Sequence, residues 1–136
     1  MTDATKLIAG LLLITVPTIE FGGTFLLSVL SGKHPELTEF QRSMFRAGHA
    51  HAGVLVILAL VALVFTDQAG FSTPTGWAVR IGFAVAPVLV SAGFFGAAIG
   101  KGATRPGGLI AVLWIGAIVL VASVITLGIG LIRSRG

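Results

Sequence analysis

The 136-residue chain contains no cysteine, no tyrosine and no asparagine, and only 10% of its residues are charged. The absence of cysteine excludes disulfides, thiolate metal sites and iron–sulfur clusters. Soluble domains carry about 25% charged residues, whereas this chain is 55% hydrophobic and has a mean hydropathy of +1.02. The composition therefore excludes a soluble globular domain and is typical of an integral membrane protein.

Four long apolar stretches, separated by short polar segments, account for most of the sequence. At about 20 residues per membrane-crossing helix, they predict transmembrane helices over residues 7–30, 47–65, 77–100 and 109–132. The links between them are rich in Gly, Pro and Thr, which break helices. We therefore expect an all-α polytopic membrane protein, with four transmembrane helices in a bundle forming one domain over residues 1–136.

Basic residues outnumber acidic ones by nine to five, which gives a net charge of +4. No basic run supports nucleic-acid binding, so we expect no nucleic-acid partner and interpret the excess as contact with the headgroups of a lipid bilayer. We expect an integral membrane protein, located in the bacterial inner membrane.

The second span and its approach carry most of the chemistry. Thr38 and Gln41 have the spacing of a helix-capping box, which predicts a helix that starts near Glu39 and runs unbroken into the bilayer. At about 100° per residue, two stripes of this helix carry functional side chains. One stripe contains Arg42, Arg46, His49 and Gly53, and the other contains His51 among apolar residues.

The segment 46–53 reads Arg-Ala-Gly-His-Ala-His-Ala-Gly, so its two histidines are surrounded by small residues. His49 and His51 point in nearly opposite directions and cannot easily share one metal ion, which favours a single axial ligand. A planar macrocycle bound through imidazole needs empty space, and small neighbours provide it. The alternative is that the small residues serve helix packing and that a histidine bonds a nearby carbonyl.

Basic side chains lie where they can pair with the propionates of a haem near the membrane surface. Arg46 and Arg42 precede the histidines by one turn or more, and Lys101 and Arg105 lie in a link on the same side of the membrane. Charged donors of this kind are the partners that carboxylates near a membrane require.

The segment 46–53 resembles the haem-ligand segment in the second helix of the haem-copper oxidases. It also resembles the Ala-His-small-Gly segment of styrene oxide isomerase and, more loosely, the hydroxylaminobenzene mutase family. Residues 104–111 resemble a further isomerase stretch. The isomerase is a four-helix membrane protein that forms a trimer and holds haem b near its subunit interfaces. The resemblance implies a haem b-binding homo-oligomer, a trimer, with a haem-dependent isomerase or oxidoreductase activity on a small apolar molecule.

The resemblance leaves two choices for the axial ligand. The Ala-His-Ala-Gly match assigns it to His51, whereas the Arg-x-x-His pattern of the oxidases assigns it to His49. We favour His51, because it lies deeper in the membrane and belongs to the apolar stripe, while His49 shares a stripe with the arginines. The isomerase uses Tyr and Asn in its substrate pocket, and this chain contains neither. A haem site is therefore expected without the epoxide chemistry.

A stripe of small residues in the third span, Ala92, Gly96 and Gly100, predicts a face that packs closely on another helix, of the same chain or of another copy. A bundle of four short helices has little room inside for a haem. We therefore expect the cofactor at an interface between protomers.

Glu20 lies near the middle of the first span, where an unpaired carboxylate costs several kcal/mol. We expect it to act as a catalytic residue or to have a specific partner. Small multidrug transporters are similar in length and carry one essential Glu in the first span, so a proton-coupled small-molecule transporter is the alternative function. A non-catalytic subunit of a membrane complex is a further alternative. For Glu20 itself, the alternative is a side chain that only bonds a backbone carbonyl and has no functional role.

Overall fold

The computed structural model describes residues 1–135, which form four α-helices joined by short links. The helices are α1 (Asp3–Leu30), α2 (Glu39–Thr66), α3 (Thr73–Ala97) and α4 (Ile110–Arg133). Each is long and apolar enough to cross a membrane, judged by length and composition. The all-α class and the four helices are thus confirmed over these residues. Gly136, which ends the predicted domain, lies outside them.

Local capping explains where α2 and α3 begin and end. The predicted capping box is present: the Thr38 hydroxyl accepts from the Gln41 N–H, and the Gln41 side chain accepts from the Thr38 N–H. α3 begins at Thr73 rather than at residue 77, because a proline in its first turn is compatible with a helix start. The predicted end at residue 100 is wrong. The helix stops at Ala97, and Gly100 has φ of +122°, which a helix does not allow.

The centre of the molecule is the pair α2 and α3. α1 packs against both, α4 packs mainly against α3, and α1 and α4 make no contact with each other within residues 1–135. Leu63 of α2 and Phe83 of α3 are almost completely buried in the core. α1 is the least buried of the four helices: only 6% of its apolar 18-residue stretch is buried.

Two glycines bring α3 and α4 together. A Cβ added at Gly93 would lie 2.5 Å from the Cα of Leu113, and one added at Gly116 would lie 2.8 Å from the backbone nitrogen of Val90. Both positions therefore require glycine for this close approach of the two backbones. The predicted small-residue stripe is only partly used: Gly96 faces Leu109, whereas Ala92 is exposed.

Candidate functional site

His51 lies on the outer surface of α2 with its ring held from two sides. Its Nδ1 is 2.7 Å from the carbonyl oxygen of Ala47, and its ring centroid is 4.8 Å from that of Phe94 on α3. Because a carbonyl oxygen only accepts, Nδ1 must carry the proton of this hydrogen bond. In the neutral ring, Nε2 therefore has the free lone pair. The side chain is exposed and Nε2 has no hydrogen-bond partner within residues 1–135.

The surface around His51 suits a flat ligand bound at Nε2. The neighbouring positions on the outer side of α2 carry Ala47 and Ala50, whose methyl groups rise little above the helix backbone. Gly48 is buried on the inner side, where a Cβ would come within 3.1 Å of the Cβ of Phe94. The glycine therefore serves helix packing, whereas the alanines leave open surface. The packing interpretation is therefore confirmed at Gly48, and space for a macrocycle beside the alanines stays a prediction.

His49 lies on the opposite side of α2, against α1. A Cβ at Gly23 would lie 3.3 Å from Cε1 and 3.4 Å from Nε2 of the His49 ring, and a Cβ at Gly22 would lie 3.7 Å from its Nδ1. The half-buried ring thus fits between the helices because glycines face it. The two histidines point in different directions, as the sequence predicts. Within residues 1–135, no group of three or more His, Cys, Asp or Glu side chains could hold a metal ion.

The arginines of α2 lie on the His49 side. Arg42 turns toward the α1–α2 link, where its Nη1 is 3.6 Å from Glu39 Oε1 and its Nη2 donates to the His34 carbonyl at 3.4 Å. Its Nε is buried without a partner in the structure. Arg46 is exposed. At about 100° per residue, Arg46 lies about 140° around the helix from His51. A single chain therefore does not bring these arginines to His51.

The α3–α4 link is fastened beside the start of α2. The buried Gln41 donates through Nε2 to the carbonyls of Ala98, at 3.0 Å, and Gly100, at 2.9 Å. Lys101 and Arg105, both exposed, follow in this link. They lie at the same end of the molecule as the start of α2, as predicted.

Gly53 and Glu20 both lie next to open space. A Cβ at Gly53 would meet nothing within 4 Å, so packing within one chain does not require glycine there. Glu20 is exposed on α1 and makes no hydrogen bond or ion pair within residues 1–135. The partner that the sequence predicts for Glu20 is therefore not found within the part of the chain that the structure describes.

A polar cluster at the other end of the molecule was not anticipated from the sequence. Arg80 Nη2 donates to Asp67 Oδ1 at 2.6 Å, and Arg80 Nε donates to the Thr5 hydroxyl at 2.8 Å. Thr2 donates to Asp67 through its N–H at 2.8 Å and its hydroxyl at 2.9 Å. We call Thr2, Thr5, Asp67 and Arg80 the polar clasp, because they join the start of α1 to the α2–α3 link.

The clasp also sets the charge state of its acid. Burial alone would raise the pKa of the Asp67 carboxyl, but hydrogen bonds from Thr5, Arg80 and Thr2 outweigh it and hold the pKa well below its usual range. The sequence does contain a signal for this pair. Asp67 and Arg80 are an acid and a base on either side of one short link, at the same end of adjacent helices.

No protein-family model matches the chain, and neither a curated protein nor a solved structure matches it. The functional interpretation therefore depends on the residues of this chain and on their geometry.

Proposed function

We propose that this chain is an integral membrane protein with four transmembrane helices that binds haem b through Nε2 of His51. We further propose that it is a haem-dependent enzyme of the isomerase or oxidoreductase type, located in the bacterial inner membrane. The observation that carries the proposal is the hydrogen bond from His51 Nδ1 to the Ala47 carbonyl. Histidines that ligate metals commonly donate their other ring N–H in this way, which fixes the tautomer and the ring orientation.

The exposure of His51 supports an external ligand. In a membrane, an ionisable side chain on the outer surface of a helix is costly unless it has a partner. Nδ1 has one, and Nε2 has none within residues 1–135. Phe94 supports one face of the ring. An iron bound at Nε2 would give this nitrogen the partner it lacks.

Two groups of basic residues are proposed to hold the propionates. Lys101 and Arg105 belong to the link that Gln41 fastens beside α2. Arg46 and Arg42 lie on the other side of α2, so they would serve a haem that belongs to a neighbouring copy. A head-to-tail contact of this kind forms a ring of subunits when the rotation between neighbours closes. We therefore propose a homo-oligomer, with the trimer implied by the isomerase resemblance as the expected form.

The chemistry is proposed to follow from an open iron face. When bound through His51, the haem would supply a Lewis-acidic or redox-active iron for a small molecule. A mostly apolar cavity of about 200 Å³ lies between α1, α2 and α3; its lining includes Ala52, the neighbour of His51, but not His51 itself. The buried Ser91 hydroxyl lines this cavity and has no hydrogen-bond partner in the structure. A small apolar molecule with one acceptor group fits this lining.

Absorption spectra of the purified oxidised and dithionite-reduced protein test the proposal directly. We expect a Soret band in the wild type and in His49→Ala, and its loss in His51→Ala. Added imidazole should restore the band in His51→Ala, because the free ring replaces the missing ligand. Carbon monoxide should shift the reduced spectrum if the sixth position is open.

His34→Ala is the matched control, since the His34 ring lies in the α1–α2 link, with Ser28 Oγ of α1 at 3.1 Å and Glu36 Oε1 at 3.2 Å. Its spectrum should equal that of the wild type. A folded wild-type protein that stays colourless after expression with sufficient haem would contradict the proposal. A band lost only in His49→Ala would move the ligand to the other side of α2.

Proton-coupled transport is the second candidate, and one observation favours it. Glu20 is an exposed carboxylate without a partner in residues 1–135, next to Ile19, which lines the cavity between α1, α2 and α3. Glu20→Gln keeps the shape of the side chain and removes its proton exchange. Loss of a pH-driven flux in proteoliposomes with an unchanged Soret band would assign Glu20 to transport. Loss of turnover alone would assign it to catalysis.

A further inference from the structure

A cavity of about 270 Å³ opens at the end of the molecule farthest from the start of α2. The start of α1, the α2–α3 link and the first turn of α3 enclose it. Its polar lining consists of Thr2, Thr66, Asp67, Ser72, Thr73 and Arg80, with Trp77 beside them. Arg80 and Asp67 belong to the polar clasp, but the clasp does not use all of their hydrogen-bonding groups.

Arg80 has donors left over. Its side chain is only 9% exposed, and its Nε and Nη2 are occupied by the clasp. Nη1 makes no hydrogen bond within residues 1–135. It lies against the bare backbone of Gly76, where an added Cβ would approach it to 2.7 Å. Because Arg80 and Gly76 both line the cavity, an acceptor bound there would satisfy this donor.

The first turn of α3 adds further donors. Ser72 stands at the N-cap position, but its side chain makes no capping hydrogen bond. Within residues 1–135, the N–H group of Thr73, which lines the cavity, has no acceptor, and Pro74 has no N–H group. The N-terminus of a 25-residue helix also carries a partial positive charge. Uncapped N–H groups and a helix dipole together favour an anion.

Asp67 is the acidic group in the lining, and its oxygens are already engaged. Oδ1 accepts from Arg80, Thr5 and the Thr2 hydroxyl, and Oδ2 accepts from the Thr2 N–H. The carboxylate therefore holds Arg80 in place through Oδ1, and its Oδ2 lies beside the Thr2 N–H and 3.8 Å from the N-terminal ammonium of Met1. An acceptor with several oxygens would satisfy the donors that remain at this cavity.

We propose that this cavity binds a phosphate-type oxyanion, either the phosphate of a lipid headgroup or free phosphate. Arg80 Nη1 and the first N–H groups of α3 would donate to it. Trp77 at the rim is a residue typical of the headgroup level of a membrane. The site is independent of the haem proposal, because Thr66 lies about 22 Å along α2 from His51 at about 1.5 Å per residue.

Fluorescence of Trp77 gives the test, since this tryptophan lines the cavity. Trp114, on α4, is replaced by Phe so that Trp77 alone reports. The probes are inorganic phosphate and dihexanoyl phosphatidylglycerol, both at constant ionic strength, with uncharged dihexanoylglycerol as the lipid without a phosphate. We expect a saturable change with at least one phosphate probe. A response to phosphate alone assigns the site to a soluble anion, and a response to the lipid alone assigns it to a headgroup.

Three variants locate the binding. Arg80→Gln and Gly76→Ala should each weaken the binding of the responding probe by about tenfold or more, because a hydrogen bond to a charged group is worth at least that factor. Arg133→Gln removes an exposed cation at the same end and should leave the affinity unchanged. If Arg80→Gln fails to fold, Gly76→Ala decides, because its methyl group displaces only the tip of a flexible side chain.

The proposal is overturned if the wild type shows no saturable response to either phosphate probe. It is also overturned if dihexanoylglycerol produces the same response, if Arg133→Gln loses as much affinity as the cavity variants, or if a folded Gly76→Ala protein binds as tightly as the wild type.

Discussion

Asp67 and Arg80 show how much depends on single residues in a chain with so few charges. Both side chains are largely buried, with 13% and 9% exposure, and their closest atoms are 2.6 Å apart. Removing one partner of such a pair leaves the other charge buried without compensation, which costs more than the pair contributes. The remaining charges form mostly exposed pairs such as Lys6 with Asp3, which contribute little.

Asp67→Asn should lower the free energy of unfolding by about 3 kcal/mol, because it leaves Arg80 buried without a counter-ion. Unfolding in mixed detergent micelles, followed by circular dichroism, measures the change. Asp3→Asn is the control, since the Asp3 side chain is 98% exposed and should give no measurable difference. Equal stabilities of the Asp67→Asn protein and the wild type would contradict this account of the clasp.

The same residue predicts a pH dependence. The pKa of Asp67 is lower in the folded protein than its value of about 3.9 in an unfolded chain. Its contribution to stability is therefore fully present above about pH 4 and is lost as the pH falls from there toward the folded-state pKa. The difference in unfolding free energy between the wild type and Asp67→Asn should shrink below about pH 4. A difference that is constant down to the acid limit would show that the carboxylate charge plays no part.

At the scale of the helices, the packing of α3 on α4 makes the most specific demand on sequence. Gly93→Ala should destabilise the protein by about 1–3 kcal/mol, because its methyl group would meet the backbone of Leu113, which cannot move aside. Gly128→Ala in α4 is the matched control, since a Cβ there meets nothing within 4 Å. That control should be stabilised by about 0.5–1 kcal/mol from helix propensity. Similar unfolding free energies for the two variants would contradict the packing.

The helices themselves could largely be predicted from the sequence, whereas their partners could not. Hydropathy located all four, and the capping box at Thr38 fixed the start of α2. Periodicity does not reveal which neighbour a small residue faces, so the roles of Gly93 and Gly116 were missed. The predicted end of α3, at residue 100, lies too far along the chain for a related reason. Gly100 is compatible with a helix in a pattern of small residues, but its positive φ places it in a turn.

The candidate site divides in the same way between what the sequence predicts and what it does not. The divergence of His49 and His51 follows from the helical repeat alone and was predicted. Arg46 was associated with either histidine, although the same repeat places it on the His49 side. The clasp was missed because its members come from three segments of the chain, and only the fold brings Thr2 and Thr5 to Arg80.

At the scale of the whole molecule, the exposure of His51 leads to a prediction about assembly. If haem is bound at Nε2, it lies on an outer face of the four helices, where a second copy must shield it. We therefore expect haem content to follow the oligomeric state across a dilution series in detergent, with the monomer fraction losing its Soret band. Size-exclusion chromatography with absorbance at two wavelengths measures both quantities. A monomer that keeps stoichiometric haem would falsify the shared site.

The lack of contact between α1 and α4 has a consequence for biosynthesis. α1 leaves the ribosome first, yet every surface it packs against belongs to α2 and α3, which are made later. Gly22 and Gly23 can pack on His49 as soon as α2 is inserted, whereas the contacts of α1 with α3 must wait for the third helix. Thr2 and Thr5 can close on Asp67 and Arg80 only after the α2–α3 link has been synthesised. The order of synthesis thus allows α1 to pack on α2 early, whereas the clasp can form only when the first turns of α3 have been made.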